Sequence, residues 1–386
     1  MEGTMSTPSF FIKIPYTLVG PGSVSKLVEL VKDFDAHNAL IITDKGIKEA
    51  GQVKKVSAVL KNTNCKYSVF DGCEPNAPSG TIDKCSQQAV NDQPDVLIAV
   101  GGGSVIDTTK IISVTAANNI KVTDLIGKPN LPPKILPKIM IPTTAGTGSE
   151  WSRIALFSDD ADGQKKAIRG LKLFPNAVIV DPELTLGLPP KVTADTGIDA
   201  WTHGIEAYTS KTAHPFGDIF SEMVIKLVSA NLLRAFTNGD DIEARYNMSI
   251  AASMGMAALT LEGGGLGHMI DGSIISKAHI SHGAALAIIM PYVMELNMPS
   301  NVERFARLAT LMGAKISGLS IDDAAKLPVE TYKKLCKDLG MKQKLSDVGI
   351  IKDDLSAIVD NVANFAGSRM AQYKREDIAN ILNAAF

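Results

Sequence analysis

The chain has 386 residues, beyond the ~250 to 300 at which a single hydrophobic core stops growing, so two domains are expected. Its 45% hydrophobic and 21% charged residues exclude a disordered or fibrous protein. The 39 Lys and Arg against 41 Asp and Glu leave a net charge of -2, which provides no global basic field for nucleic acid or an anionic membrane.

At the N-terminus, MEGTMSTPSFFIKIP has no basic stretch followed by an apolar one, and no run of about 18 apolar residues occurs anywhere. Cys65, Cys73, Cys85 and Cys336 lack CxxC spacing and read as free thiols, so a cytoplasmic protein is expected. NALIITD (38–44) reads as a strand, 46–61 as a helix, and KYSVFDG (66–72) as a second strand. DVLIAV (95–100) is apolar throughout, as a strand covered on both faces should be, and runs through GGGS into a helical segment at 105–116. KIMIPTTAGTGSE (138–150) is a strand followed by a Gly/Thr loop, and AVIVDPELT (177–185) is one more strand ending in Asp-Pro.

That alternation is the signature of parallel βαβ units. From about Pro189 the pattern turns helical, at 194–209, 216–236, 242–261, 284–296, 301–312 and 321–339. The expected architecture is an α/β N-terminal dinucleotide-binding domain with a Rossmann-like parallel sheet (1–188), then an all-α C-terminal domain (189–386) with Thr193 capping its first helix.

AVGGGSVID (99–107) sets three glycines between a buried strand and a helix, where bare backbone amides and the positive helix end can face a pyrophosphate. The same glycines also permit a plain tight turn. This is not the GxGxxG fingerprint, because the acid at a strand end, Asp44, precedes the glycines instead of following them by about 20 residues. PTTAGTGSE (142–150) has similar content: small residues admit close backbone approach, and Thr143, Thr144 and Thr147 offer hydroxyls to phosphate or ribose.

In GIDAWTHGIEAY (197–208), Asp199 and His203 are four apart on a helix and share a face. They can hold a cation or form an ordinary solvated pair. GLGHMIDGSIISKAHISHG (265–283) brings His268, His279 and His282 within fifteen residues, and imidazole with carboxylate is the donor set of Zn2+ and Fe2+. His37 and His214 have no such company and read as surface or satisfied histidines.

Taken in order, GGGSVIDTTK, PTTAGTGSE, DPELT, GIDAWTHGIEAY and GLGH with HGAALAIIMPYV resemble the iron-containing (group III) alcohol dehydrogenases over nearly the whole chain. The resemblance implies an NAD-dependent alcohol dehydrogenase, equivalently an aldehyde reductase, with one divalent metal held by Asp199, His203, His268 and His282. It also implies NAD(H) contacts at Asp44, Gly101, Gly102, Gly103, Ser104, Asp107, Thr143, Thr144, Thr147 and Lys165. The ligands do not choose between Fe2+ and Zn2+. A small-molecule alcohol or aldehyde substrate and a homodimer or larger homo-oligomer are expected, without nucleic acid or membrane partners. A glycerol dehydrogenase-like or dehydroquinate synthase-like enzyme, or a non-catalytic nucleotide-binding protein, would share the scaffold.

There is one departure from the family pattern. Members commonly carry a second histidine four residues after the third metal ligand, and that position is Gly272 here. A proton relay there does not transfer, and His279 is the only other histidine nearby. With Gly263 to Gly265 close in sequence, a roomier pocket is expected, where Arg153 would meet an anionic substrate tail if it faces inward.

Overall fold

A computed structural model describes residues 12–366 and 373–386. The strands are β1 (Tyr16–Val19), β2 (Asn38–Ile42), β3 (Lys66–Phe70), β4 (Val96–Gly101), β5 (Lys138–Pro142), β6 (Ile154–Ser158), β7 (Lys165–Arg169) and β8 (Ala177–Val180). Six of them form a sheet in the order β1-β8-β5-β4-β2-β3, with every neighbouring pair parallel. Its helices are α1 (Leu27–Asp33), α2 (Lys45–Glu49), α3 (Gln52–Leu60), α4 (Ser79–Asp92) and α5 (Gly103–Asn118).

Side chains alternate across a strand, and both faces here are buried. Leu40, Ile42, Leu97, Ala99 and Met140 enter one core, whereas Ala39, Ile41, Ile98, Val100 and Ile139 enter the other. The helix expected at 46–61 is two helices, because Gly51 at φ 82° turns the chain between them. The strand expected through 185 stops at Val180. Pro182 has no amide for a ladder, and Asp181 accepts the Glu183 amide to start a 3₁₀ turn.

Two features lie outside the sequence reading. The short β1 adds to the sheet edge beside β8, and β6 and β7 form a separate antiparallel hairpin. The hairpin turns through Asp162 and Gly163, the latter at φ 67°.

No strand follows β8 among the described residues. The helices there are α6 (Pro190–Tyr208), α7 (Pro215–Thr237), α8 (Ile242–Glu262), α9 (Leu266–Ala278), α10 (His282–Asn297), α11 (Val302–Leu311), α12 (Ile321–Asp338), α13 (Asp354–Ala366) and α14 (Arg375–Ala384). Thr193 is not the cap of α6. Pro189 takes that position and Pro190 starts the helix, where a missing amide costs nothing, and Thr193 instead accepts from Arg245. In the middle of the helical core Trp201 of α6 stacks on Tyr332 of α12, with ring centroids 5.0 Å apart.

The loop after β5 ties the sheet to these helices. A Cβ on Gly148 would lie 2.3 Å from the Ala252 carbonyl of α8, and Glu150 accepts a 2.6 Å bond from Ser253 on the same helix. Among the described residues no helix is long and apolar enough to cross a membrane.

Candidate active site

A cleft of about 990 Å³ opens at the carboxyl ends of the strands, where an open parallel sheet binds its ligands. Asp44, Gly102, Gly103, Ser104, Thr144 and Thr147 line it. Gly102 caps α5 without a side chain, so the first amides of a sixteen-residue helix remain open to an anion. The glycines also let the two loops meet. A Cβ on Gly102 would be 3.2 Å from Thr144 Oγ1, one on Gly103 would be 2.8 Å from Thr147 Cγ2, and one on Gly101 would strike Val105 at 2.5 Å.

The polar residues around this cleft are engaged to different degrees. Asp44 Oδ1 accepts the Ile47 amide at 2.9 Å, so Asp44 caps α2 as well as facing the cleft. Ser104 Oγ accepts the Asn76 amide and Thr147 Oγ1 the Ser149 amide. Thr143 is buried and its hydroxyl has no hydrogen-bond partner. Asp107 is outside the cleft lining. Its carboxylate accepts from Ser149 and from the Leu156 amide and pairs with the fully buried Lys110, which braces α5 against the hairpin.

Lys165, at the start of β7, reaches out of the α/β part to the helices, with Nζ 2.9 Å from His282 Nε2. Burial pushes its ammonium pKa down, and the charges of Asp271, Asp199 and Asp107 oppose that shift.

Asp199, His203 and Glu206 occupy one face of α6 at spacings of four and three. His268 comes from the first turn of α9, and its ring stacks on His203 with centroids 4.6 Å apart. Ligand atoms of Asp199, His203 and His268 all lie within 4.8 Å of one another. His282, first residue of α10, stands beside this group with its Nε2 toward Lys165. A Cβ on Gly283 would lie 1.8 Å from the Asp195 carbonyl, so that glycine lets α10 start against α6.

Two carboxylates that the motif reading passed over orient these rings. Glu206 Oε2 is 2.6 Å from His268 Nδ1, and Asp271 Oδ2 is 2.7 Å from His282 Nδ1. Glu206 also accepts the Gly265 and Gly267 amides, which α9 would otherwise leave bare.

The electrostatics follow from burial and these contacts. Burial pushes the Asp199 carboxyl up, but His203, His268 and His282 outweigh it and hold the group well below the usual carboxylate range. Burial brings His203 down to about 4, against the pull of Asp199. For His268 burial is overcome by Glu206 and Asp199, and its pKa lies well above that of a free imidazole. His203 Nδ1 is buried with no hydrogen-bond partner, and its Nε2 has only Asp199 at 3.7 Å. Nε2, the nitrogen on the Asp199 side, makes no hydrogen bond of normal length and is the one a cation between these groups would engage. One carboxylate with neighbouring imidazoles therefore fits Fe2+ or Zn2+.

The remaining candidates lie elsewhere or have other roles. His279 is exposed and ends α9 in a left-handed conformation at φ 53°. His214 caps α7 by accepting the Gly217 amide, and His37 is exposed near Asp35. Arg153 is exposed just before β6. The glycine cluster leaves less space than its sequence implies, because a Cβ on Gly265 would be 2.5 Å from Glu206. Gly272 differs: a Cβ there would meet no described atom within 4 Å.

Comparison with known proteins identifies the family and the fold. Residues 15–182 match the family described as iron-containing alcohol dehydrogenase, and residues 193–386 match the C-terminal part of the Fe-containing alcohol dehydrogenase family. The chain is 32% identical to the NAD-dependent methanol dehydrogenase of Bacillus methanolicus, over 98% of this chain and 99% of that protein. It is also 32% identical to the sulfoacetaldehyde reductase of Bilophila wadsworthia, covering 95% and 96%. The fold superimposes on a crystal structure of 1,3-propanediol oxidoreductase with a TM-score of 0.94 at 31% identity, covering 98% of this chain and all of that one.

Proposed function

The chain belongs to the iron-containing alcohol dehydrogenase family, and from that premise we propose which of its residues perform the reaction. It is a metal-dependent, NAD-linked enzyme that interconverts small alcohols and aldehydes. The proposed ligands are Asp199, His203, His268 and His282. The observation that carries them is the convergence of ligand atoms of Asp199, His203 and His268 within 4.8 Å of one another.

When bound, the divalent ion supplies positive charge that eases loss of the alcohol proton, and the nicotinamide supplies the hydride acceptor. The chain's own part is binding and orientation. The open amides at the start of α5 hold the pyrophosphate, and Asp44 accepts from the ribose diol. Thr144 and Thr147 complete that wall, and Lys165 holds a positive charge where the hairpin meets His282. Glu206 keeps the His268 ring turned toward Asp199.

For the substrate we favour an aldehyde with a polar or anionic substituent over acetaldehyde. The open space beside Gly272 supports this, as does the similarity to a sulfoacetaldehyde reductase, whereas Arg153 is exposed before β6 and is not part of the proposal. The proposed division is a dinucleotide-binding domain at 1–188 and a metal-binding domain at 189–386, matching the passage from strands to helices. Tyr16 and Val19 are exposed on the outer strand of the sheet, which supports a homo-oligomer, and four buried unpaired cysteines suit the cytoplasm.

Metal analysis followed by NADH oxidation over an aldehyde panel tests the assignment. One divalent ion per chain is expected, lost with activity in Asp199→Ala and His268→Ala. Full metal content in both variants overturns the ligand set.

A further inference from the structure

Asp271 follows His268 by three residues on α9 and is 1% exposed, between the buried Ile270 and Ile274. A carboxylate in that position is costly unless it is paired. Its partner is His282, whose Nδ1 lies 2.7 Å from Asp271 Oδ2 and whose Nε2 lies 2.9 Å from Lys165 Nζ. A carboxylate can only accept and an ammonium can only donate, so the two neighbours together select one tautomer of the ring. Nδ1 carries the proton and donates to Asp271, while Nε2 keeps its lone pair and accepts from Lys165.

We propose that Asp271 is a positioning residue of the catalytic centre, keeping His282 Nε2 unprotonated so that the lone pair Lys165 engages in the metal-free protein can pass to a cation at the site formed by Asp199, His203 and His268. The inference rests on the reading of His282 as the fourth ligand. It matters most for this ring because His282 is the most exposed of the three histidines, with a side chain 33% exposed against 17% for His268 and 5% for His203. His268 is tied by Glu206 and His203 is packed inside, whereas His282 starts a helix just after the turn at His279. Asp271 joins the helix that carries one ligand to the first residue of the helix that carries another. Partners of this kind are worth roughly 10- to 100-fold in metal affinity.

Co2+ is the probe, because its visible absorption reports ligand number and geometry. Metal-free wild type, Asp271→Asn and Asp271→Leu are titrated with Co2+, and the imidazole N–H resonances of the metal-free proteins are recorded by NMR. Asp271→Asn still accepts from Nδ1 but lacks the charge, and about tenfold weaker Co2+ binding is expected. Asp271→Leu frees the ring, so a loss nearer 100-fold, a changed Co2+ spectrum and disappearance of the downfield His282 Nδ1–H resonance are expected. Wild-type affinity and spectrum in both variants, or persistence of that resonance in Asp271→Leu, overturns the proposal. If Asp271→Leu does not fold, the nearly isosteric Asn variant decides on affinity alone. A wild type that binds no Co2+ defeats the ligand assignment, while the resonance of the metal-free protein still decides the Asp271 and His282 pairing.

Discussion

Glu206 of α6 accepts from His268 Nδ1 at 2.6 Å and, with the same carboxylate, from the Gly265 and Gly267 amides. One buried side chain thus orients a candidate ligand and closes the N-terminus of the helix that bears it. Glu206→Gln is expected to weaken metal binding by about tenfold or more, because it removes the charge behind the imidazole. Glu206→Ala is expected also to lower the thermal stability of the metal-free protein, by about 1 to 3 kcal/mol, since buried amides lose a charged acceptor. Wild-type metal affinity in Glu206→Gln would show that Glu206 serves only as a cap.

The parts of this site that were legible in the sequence are those written into a single element. Asp199 and His203 announce themselves because four residues make one helical turn, and GGGS does because it follows an uninterrupted apolar strand. Glu206 sits on the same face of α6 and was readable by spacing. Its meaning depends on amides about sixty residues away, and an isolated Glu on a helix reads as a solvated one. Asp271 was hidden for a similar reason, since its partner lies across the turn between two helices.

The hairpin escaped because Lys165–Arg169 is KKAIR, a sequence whose strand character comes from pairing with β6. That hairpin nevertheless delivers Lys165 to His282. Asp107 shows the opposite case: its place after the glycine loop implied a cofactor contact, whereas Lys110, Ser149 and the Leu156 amide engage its carboxylate.

Asp44 has two jobs that one substitution can separate. It caps α2 through the Ile47 amide and faces the cleft. Asp44→Ser keeps a capping oxygen and removes the charge that repels a 2′-phosphate. The preference for NADH over NADPH, read as the ratio of kcat/KM values, is expected to fall at least about tenfold, equivalent to ~1.4 kcal/mol, with little change in melting temperature. An unchanged ratio would leave Asp44 as a helix cap alone.

Lys138 predicts a pH dependence that is independent of the metal. It is 1% exposed at the start of β5 and donates a 2.8 Å bond to the Lys172 carbonyl. Burial, helped by the charges of Lys110 and Lys13, brings its pKa from 10.5 down to about 7. Between those values the unfolded chain holds more protons than the folded one, so stability rises with pH across that window and the penalty is fully present below it. Urea unfolding from pH 7 to 10 is expected to show wild type gaining on Lys138→Met, by at most about 1.4 kcal/mol per pH unit. Parallel curves for the two proteins would mean that the ammonium stays charged inside the fold.

Gly272 has open space beside it, and that space sets the last prediction. It lies four residues after His268 on α9, hence on the same face, and a Cβ there would meet no described atom within 4 Å. Gly265 and Gly267 cannot supply such room, because Glu206 fills the space against both. Open space on the face of α9 that bears His268 is filled by water or by substrate, and a short apolar aldehyde fills it poorly. Gly272→His is expected to fit without strain and to occupy that volume. Its kcat/KM should drop on aldehydes with a charged or branched substituent and hold or rise on acetaldehyde, shifting the ratio by about tenfold, or ~1.4 kcal/mol. The measurement is the ratio for the two substrate types in wild type and variant, with metal content checked in both. An unchanged ratio at full metal loading would mean that the space beside Gly272 is not where the substrate's substituent sits.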